Sequence, residues 1–216
     1  LYAGITPVLA NTTSAAVLLP GYLGSVVGFK NTFSTLNLKK LIPLLALTII
    51  FSIGGAYLLI NSSDEFFLQF IPFLILIATL LFLFNPSSEL ASVNSSASLP
   101  QKIGLSIVST YGGYFNGGLG IALLSVLSLG SQFSLKQMSA VKSLISFLIT
   151  TVSVCVFLFN GFIVWSYVVY MIIFSVLGGF TGAKLTEVLP TKLVRKFIIF
   201  VGLSLSASLI FIGYIK

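Results

Sequence analysis

Lys142 is the ionisable side chain set most clearly inside an apolar run, about seven residues from the start of the 135–158 stretch. At 1.5 Å per residue that is roughly 10 Å deep. A charge at such depth marks a functional site unless its flexible stem carries the ammonium back to the interface. Gln137, Ser139, Ser143 and Ser146 fall on or near the same helical face, and Asn11, Thr12, Thr13 and Ser14 form a comparable polar cluster in the first run. Between these clusters in sequence, Tyr111-Gly-Gly-Tyr-Phe-Asn-Gly-Gly-Leu-Gly120 holds five glycines in ten residues. Glycine costs about 1 kcal/mol relative to alanine inside a helix, so this segment reads as a broken or re-entrant helix. Its freed amides must then point into protein or a water-filled cavity. Amides at the start of a half-helix, with the positive end of its dipole, suit an anion. The competing reading is close helix packing, which Gly113-x-x-x-Gly117 also fits.

Several chemistries are excluded by residues that are missing. The four acids, Asp64, Glu65, Glu89 and Glu187, fall in or beside connections, and the chain has no histidine. No carboxylate, histidine or cysteine cluster is available for a metal, and no base stands near a buried serine, so an enzyme is not expected. Neither a GxxxxGK[ST] loop nor a β-α-β setting accompanies the glycines, which removes a nucleotide cofactor. Cys155, the single cysteine, lies in an apolar run and reads as a small core-filling residue.

The elements that would position these residues are membrane helices. Of 216 residues, 57% are hydrophobic and 7% charged, against about 25% charged in soluble domains. The mean hydropathy is +1.13. At about 20 residues per span there is room for roughly seven or eight crossings and no soluble catalytic domain. Seven apolar stretches are read near 5–29, 38–60, 66–84, 102–130, 135–158, 162–183 and 194–215. The first should be kinked or broken near Pro20. Trp165 and Tyr167 read as interfacial anchors, and the phenylalanines as lipid-facing. The chain opens at Leu1 with no charged region ahead of its first apolar run, so no signal peptide is read, and a fragment or trimmed chain is expected.

The formal net charge of +7 is topology information rather than a nucleic-acid signal, because most bases sit in short connections. Lys30 to Lys40 holds three lysines and no acid, and reads as cytoplasmic; the next connection holds Asp64 and Glu65. Residues 85–101 are polar, Ser-rich and bounded by proline. They divide a first transmembrane repeat (1–84, incomplete at its N-terminus) from a second (102–216). Each half shows a polar-spotted helix, a short connection and a helix with a glycine pair: Gly54-Gly55-Ala56 in one, Gly178-Gly179 with Gly182-Ala183 in the other. The connection after the second pair is basic (Lys184, Lys192, Arg195, Lys196), so the repeats are read as inverted. That requires 102–130 to enter and leave on the same side.

With these residues in view, the sequence resembles the sulfite exporter TauE/SafE family. The carrying stretches are Tyr111 to Ile121, Met138-Ser-Ala-Val-Lys-Ser143, Asn160-Gly161 and Leu177-Gly-Gly-Phe-Thr-Gly-Ala-Lys184, with a fainter match at Asn11-Thr12 and Leu18 to Gly24. The resemblance implies a multi-spanning carrier with two related halves that moves sulfite, sulfonates or other small anions. It implies a glycine-rich element before the first repeat helix, which this chain lacks. It also implies a lysine after the first-repeat asparagine, where Thr12 stands, so a two-lysine site is not available; Lys142 matches in the second repeat.

The sequence therefore predicts an all-α polytopic membrane protein with two inverted-topology repeats and a Gly-rich broken or re-entrant helix, in the cell membrane. It is expected to work as an anion transporter by alternating access around a midplane site. The expected substrate-binding residues are Asn11, Thr12, Gly112, Gly113, Asn116, Gly117, Gly118, Lys142 and Ser143. Its expected partners are the lipid bilayer and a small anionic solute, with no nucleic acid, metal or cofactor; no oligomeric partner is indicated. The alternative is a non-transporting membrane scaffold or assembly protein whose glycines pack helices.

Overall fold

The computed structural model describes residues 4–37, 41–84, 98–129 and 133–214. Leu1, Lys39, Lys40, Glu89 and positions 85–97 of the expected connector lie outside the described residues. The described chain is helical: α1 (Pro7–Gly28), the single turn α2 (Lys30–Phe33), α3 (Ile42–Ile60), α4 (Asp64–Phe84), α5 (Leu99–Tyr114), α6 (Leu119–Ser128), α7 (Leu135–Phe159), α8 (Trp165–Val188) and α9 (Thr191–Tyr214). Among the described residues, three stretches are long and apolar enough to cross a membrane: Ile42–Ile60, Lys136–Phe159 and Trp165–Leu185.

Local chemistry explains where several helices start. Thr6, Ser98 and Ser134 stand in extended conformation ahead of α1, α5 and α7, and each side chain accepts a hydrogen bond from a first-turn amide. At α7 the cap is reciprocal, because Gln137 Oε1 accepts from the Ser134 amide 3.0 Å away. Gln137 thus helps cap the start of α7 and, through Nε2, reaches Thr35 Oγ1 at 3.4 Å. Proline at the start of α1, α3 and α5 lacks an amide hydrogen where none is needed. Pro20 departs from the expected break: α1 runs through it without interruption. A membrane helix tolerates proline when its neighbours brace it, and here α8 presses on α1 beside Gly21 and Gly24.

Cross-links sort the helix ends into two groups. At one end the Val8 amide donates to Asp64 Oδ1 at 2.9 Å, Thr12 Oγ1 contacts the Phe162 carbonyl, and the Val164 amide donates to Thr13 Oγ1 at 3.1 Å. That gathers the α1 start, the α3–α4 turn and the α7–α8 turn. At the other end, Gln137 meets Thr35 and Gln101 Nε2 donates to the Leu127 carbonyl at 3.4 Å. The second contact joins the start of α5 to the end of α6, so α5 and α6 are an antiparallel hairpin whose tip is Phe115–Gly118. Lys30, Lys102, Lys136, Lys184, Lys192 and Lys196 belong to helix ends of the hairpin-base group, whereas Asp64 and Glu65 belong to the opposite one.

The core follows the same division. One buried cluster, with Leu44, Leu105, Leu123, Val141 and Ile145, fills the basic half. A second, with Val8, Ala56, Leu59, Phe67 and Phe157, fills the acidic half. Tyr111 packs on the first, while Tyr114 and Phe115 pack on the second. The hairpin tip therefore lies where the clusters meet. Cys155, expected in the core, is instead exposed on α7. The faces of α7 turned inward are taken by Ile145, Ile149, Ser146, Thr150 and Ser153.

Candidate functional site

The tip of the hairpin is held by side chains from three directions. Asn11 Nδ2 of α1 donates to the Tyr114 carbonyl at 3.2 Å. Asn116 accepts from the Tyr22 hydroxyl at 3.2 Å and donates through Nδ2 to Thr150 Oγ1 at 3.1 Å. The Tyr111 hydroxyl donates to the Gly117 carbonyl. Gly118 then turns the chain into α6 with φ +74°, a left-handed conformation that glycine takes without strain. Among the described residues, no backbone acceptor is found for the amides of Gly117, Gly118 and Gly120. These are the N–H groups that a helix start leaves open.

Lys142 lies beside that helix start. Its Cδ and Nζ are 3.5 and 3.8 Å from the point a Cβ on Gly120 would occupy, so the absent side chain makes room for the ammonium. Lys142 and Ser143 line a cavity of about 950 Å³ bounded by α1, α7, α8 and α9, with Ser25 and Ser139 as further polar neighbours and Phe174, Leu193 and Phe197 as apolar ones. Ser143 Oγ donates to the Ser139 carbonyl at 3.0 Å and stands 2.9 Å from Ser25 Oγ, which joins α7 to α1 at the cavity wall. Among the described residues, no hydrogen bond or ion pair to the Lys142 ammonium is found. A cation in mostly apolar surroundings with no carboxylate beside it favours an anionic guest.

A second cavity of about 300 Å³ holds Asn11, Asn116 and Gly117, with Ser14 and Phe67 also in its wall. The residues expected to form one site thus divide between two cavities. Three others have packing or fastening roles. Thr12 is fully buried, and its hydroxyl meets the Leu9 carbonyl at 3.0 Å and the Phe162 carbonyl. Gly112 and Gly113 lie within α5, where their amides belong to the helix. A Cβ on Gly112 would come 2.6 Å from Leu119 Cδ1, and Gly113 backs onto Ser52 and Ala56 of α3.

Tyr22, Ser25, Tyr111 and Thr150 were not among the expected site residues. The signal for the α1 pair is in the sequence: Asn11, Ser14, Leu18, Tyr22 and Ser25 recur at steps of three or four and share one helical face. On α7, Thr150 extends the stripe of Ser139, Ser143 and Ser146 by another turn.

Apolar helices enclose two mostly apolar cavities, with a hairpin tip seated between two buried clusters, and similarity to known proteins supports a membrane transporter. The chain belongs to the sulfite exporter TauE/SafE family, whose family model matches residues 1–209. Among curated proteins it is similar to a probable membrane transporter protein of Haemophilus influenzae. The two are 26% identical over 215 residues, which cover 98% of this chain and 83% of that protein. No solved structure matches it.

Proposed function

We propose that this transporter carries small anions, sulfite and sulfonates among them, by alternating access around Lys142. The observation that carries the reading is the Lys142 ammonium, set in an apolar cavity beside the open amides of α6 and with no counter-ion among the described residues. Lys142 supplies the charge, the α6 start supplies dipole and donors, and Ser25, Ser139 and Ser143 supply hydroxyls. The cavity is far larger than a sulfite ion, so water or the body of an organic sulfonate fills the remainder.

The same reading gives the topology. With α5–α6 dipping in and returning on one side, the remaining long helices cross in alternation, and the described lysines outside the spans fall on one face of the membrane. By the positive-inside rule that face is cytoplasmic, in a multi-pass arrangement in the cell membrane. Internal symmetry supports two inverted repeats, in which α1, α3 and α4 correspond to α7, α8 and α9. Ile49-Ile-Phe-Ser52 ahead of the α3 glycines matches Ile172-Ile-Phe-Ser175 ahead of those of α8. The close contact of α1 with α8 is the counterpart of α3 with α7.

The test is flux of sulfite and of a sulfonate into proteoliposomes, comparing the parental protein with Lys142→Met and imposing a pH gradient in each direction. Saturable flux that the substitution abolishes supports the reading. Equal flux in the two proteins would remove Lys142 from the site. Absence of any anion flux from folded protein would favour the scaffold, for which the tight glycine packing of α3 on α5 is the supporting observation.

A further inference from the structure

The two cavities are lined mainly from opposite ends of the bundle. The larger is lined by the C-terminal half of α1, the N-terminal half of α7, α8 from Met171 onward, Leu124 of α6 and the first turns of α9, most of which belong to the basic end. The smaller is lined by the N-terminal half of α1, the first turns of α4 and the hairpin tip, which belong to the acidic end. Leu18 is in the wall of both. Tyr22 faces the larger cavity and Asn116 the smaller, and the hydrogen bond between them, 3.2 Å long, crosses the partition.

We propose that the smaller cavity is the opposite-side vestibule of the same anion path, and that Leu18 and the Tyr22–Asn116 hydrogen bond form the gate closing it from Lys142. The inference rests on the reading of this chain as a carrier and names where its path is shut in this structure. What the two cavities share is one aliphatic side chain, Leu18, and one neutral hydrogen bond between α1 and the unwound tip. A bond of that kind exchanges readily with water, so it can be made and broken in each transport cycle.

The chemistry of the vestibule also limits what enters it. Asn11 and Ser14 offer hydrogen bonds but no charge, so an anion is passed on rather than held. At about 300 Å³, the space equals about ten water molecules at roughly 30 Å³ each. A small anion with part of its hydration shell fits, whereas a long-chain amphiphile does not. Asn116 is the pivot because its two arms go to different helices: its oxygen accepts from Tyr22 on α1, and its amide nitrogen donates to Thr150 on α7. Losing the Tyr22 arm leaves the tip anchored on α7 through Thr150 and on α1 through Asn11 alone.

The experiment is sided thiol labelling in sealed proteoliposomes, in a Cys155→Ser background so that the exposed native thiol does not report. Ser14→Cys places a thiol in the smaller cavity and Ser139→Cys one in the larger. The expected result is that a membrane-impermeant reagent reaches position 14 only from the acidic face and position 139 only from the basic face. Adding Tyr22→Phe should raise labelling of position 139 from the acidic face by about fivefold to tenfold, the population shift expected from losing one hydrogen bond. Leu18→Ala should act in the same direction. Unchanged labelling of position 14 from the acidic face in these variants shows that they are folded. If both positions label from the same face, or if neither gate variant raises cross-face labelling, the proposal is overturned. Labelling needs no substrate, so a correct gate with no anion flux would remove the anion reading alone, and saturable flux without sidedness would remove the gate alone.

Discussion

Gly113 of α5 backs directly onto Ser52 of α3: a Cβ on Gly113 would overlap the Ser52 carbonyl oxygen and lie 3.0 Å from the Ala56 amide nitrogen. The reverse contact is equally close, because a Cβ on Gly55 would overlap the Thr110 carbonyl and lie 2.9 Å from the Tyr114 amide nitrogen. Neither neighbour is a flexible side chain, so the helices themselves would have to separate. Gly113→Ala should therefore lower stability by about 1–3 kcal/mol, the usual cost of overpacking. That exceeds the gain of about 1 kcal/mol from replacing a helical glycine. Gly54→Ala and Gly178→Ala meet nothing within 4 Å and should be neutral or stabilising. Thermal midpoints in detergent check the contrast; equal shifts at positions 54 and 113 would contradict the packing.

Replacing Lys142 with methionine should have opposite effects on stability and activity. An unpaired ammonium inside a membrane span costs about 2.5–3.5 kcal/mol on insertion scales, so Lys142→Met should raise the thermal midpoint while anion flux falls at least about tenfold. Added sulfite should raise the midpoint of the parental protein and leave that of the variant unchanged, since a ligand stabilises only the form that binds it. A midpoint that responds equally in both proteins would place the anion elsewhere.

Thr12 provides the converse case. Thr12→Val keeps the shape and removes the hydroxyl that meets the Phe162 carbonyl. The loss of a buried hydrogen bond predicts a destabilisation of about 1–2 kcal/mol. Flux per folded molecule and its KM should remain those of the parent. A raised KM would return Thr12 to the binding site.

Asp64 fastens two helices through one carboxylate. It lies in the first turn of α4 and accepts from the Val8 amide at the start of α1. There it also complements the positive end of the α1 dipole. Asp64→Ala should cost about 0.5–2 kcal/mol, as for loss of a helix cap, without reducing flux per folded molecule. Asp64→Asn should recover part of that stability. Melting curves of the parent and the two variants decide between this fastening role and a surface carboxylate of no consequence.

The helices were legible because charged and polar residues punctuate the apolar runs. Lys30, Asp64, Lys136 and Lys192 each stand within a turn or two of a helix end. The glycine cluster marked the stretch in which the α5–α6 turn falls but not the packing of each glycine. Gly112 and Gly113 read like Gly117 and Gly118 in sequence; their difference comes from neighbours distant in the chain, Ile149 beside Gly112, and Ser52 and Ala56 behind Gly113. Thr12 looked like a ligand because its partner carbonyl belongs to Phe162, 150 positions away. Tyr22 went unread although it stands in step with Asn11, Ser14 and Ser25, because that spacing does not say what its hydroxyl meets, and Asn116 lies 94 positions away. Pro20 predicted a kink or a break from local geometry alone; the helix is not broken there, and α8 packs against α1 beside it.

The shortness of α6 bears on how the protein is made. Its ten residues reach about 15 Å, about half the thickness of the hydrocarbon layer, and seven of them are buried against protein. Part of that cover comes from α4 and α5, and part from Val141, Ile145 and Ile149 of α7, which leave the ribosome after α6 does. The hairpin therefore cannot complete its packing until α7 has been laid down, which makes its full seating depend on a segment synthesised after it.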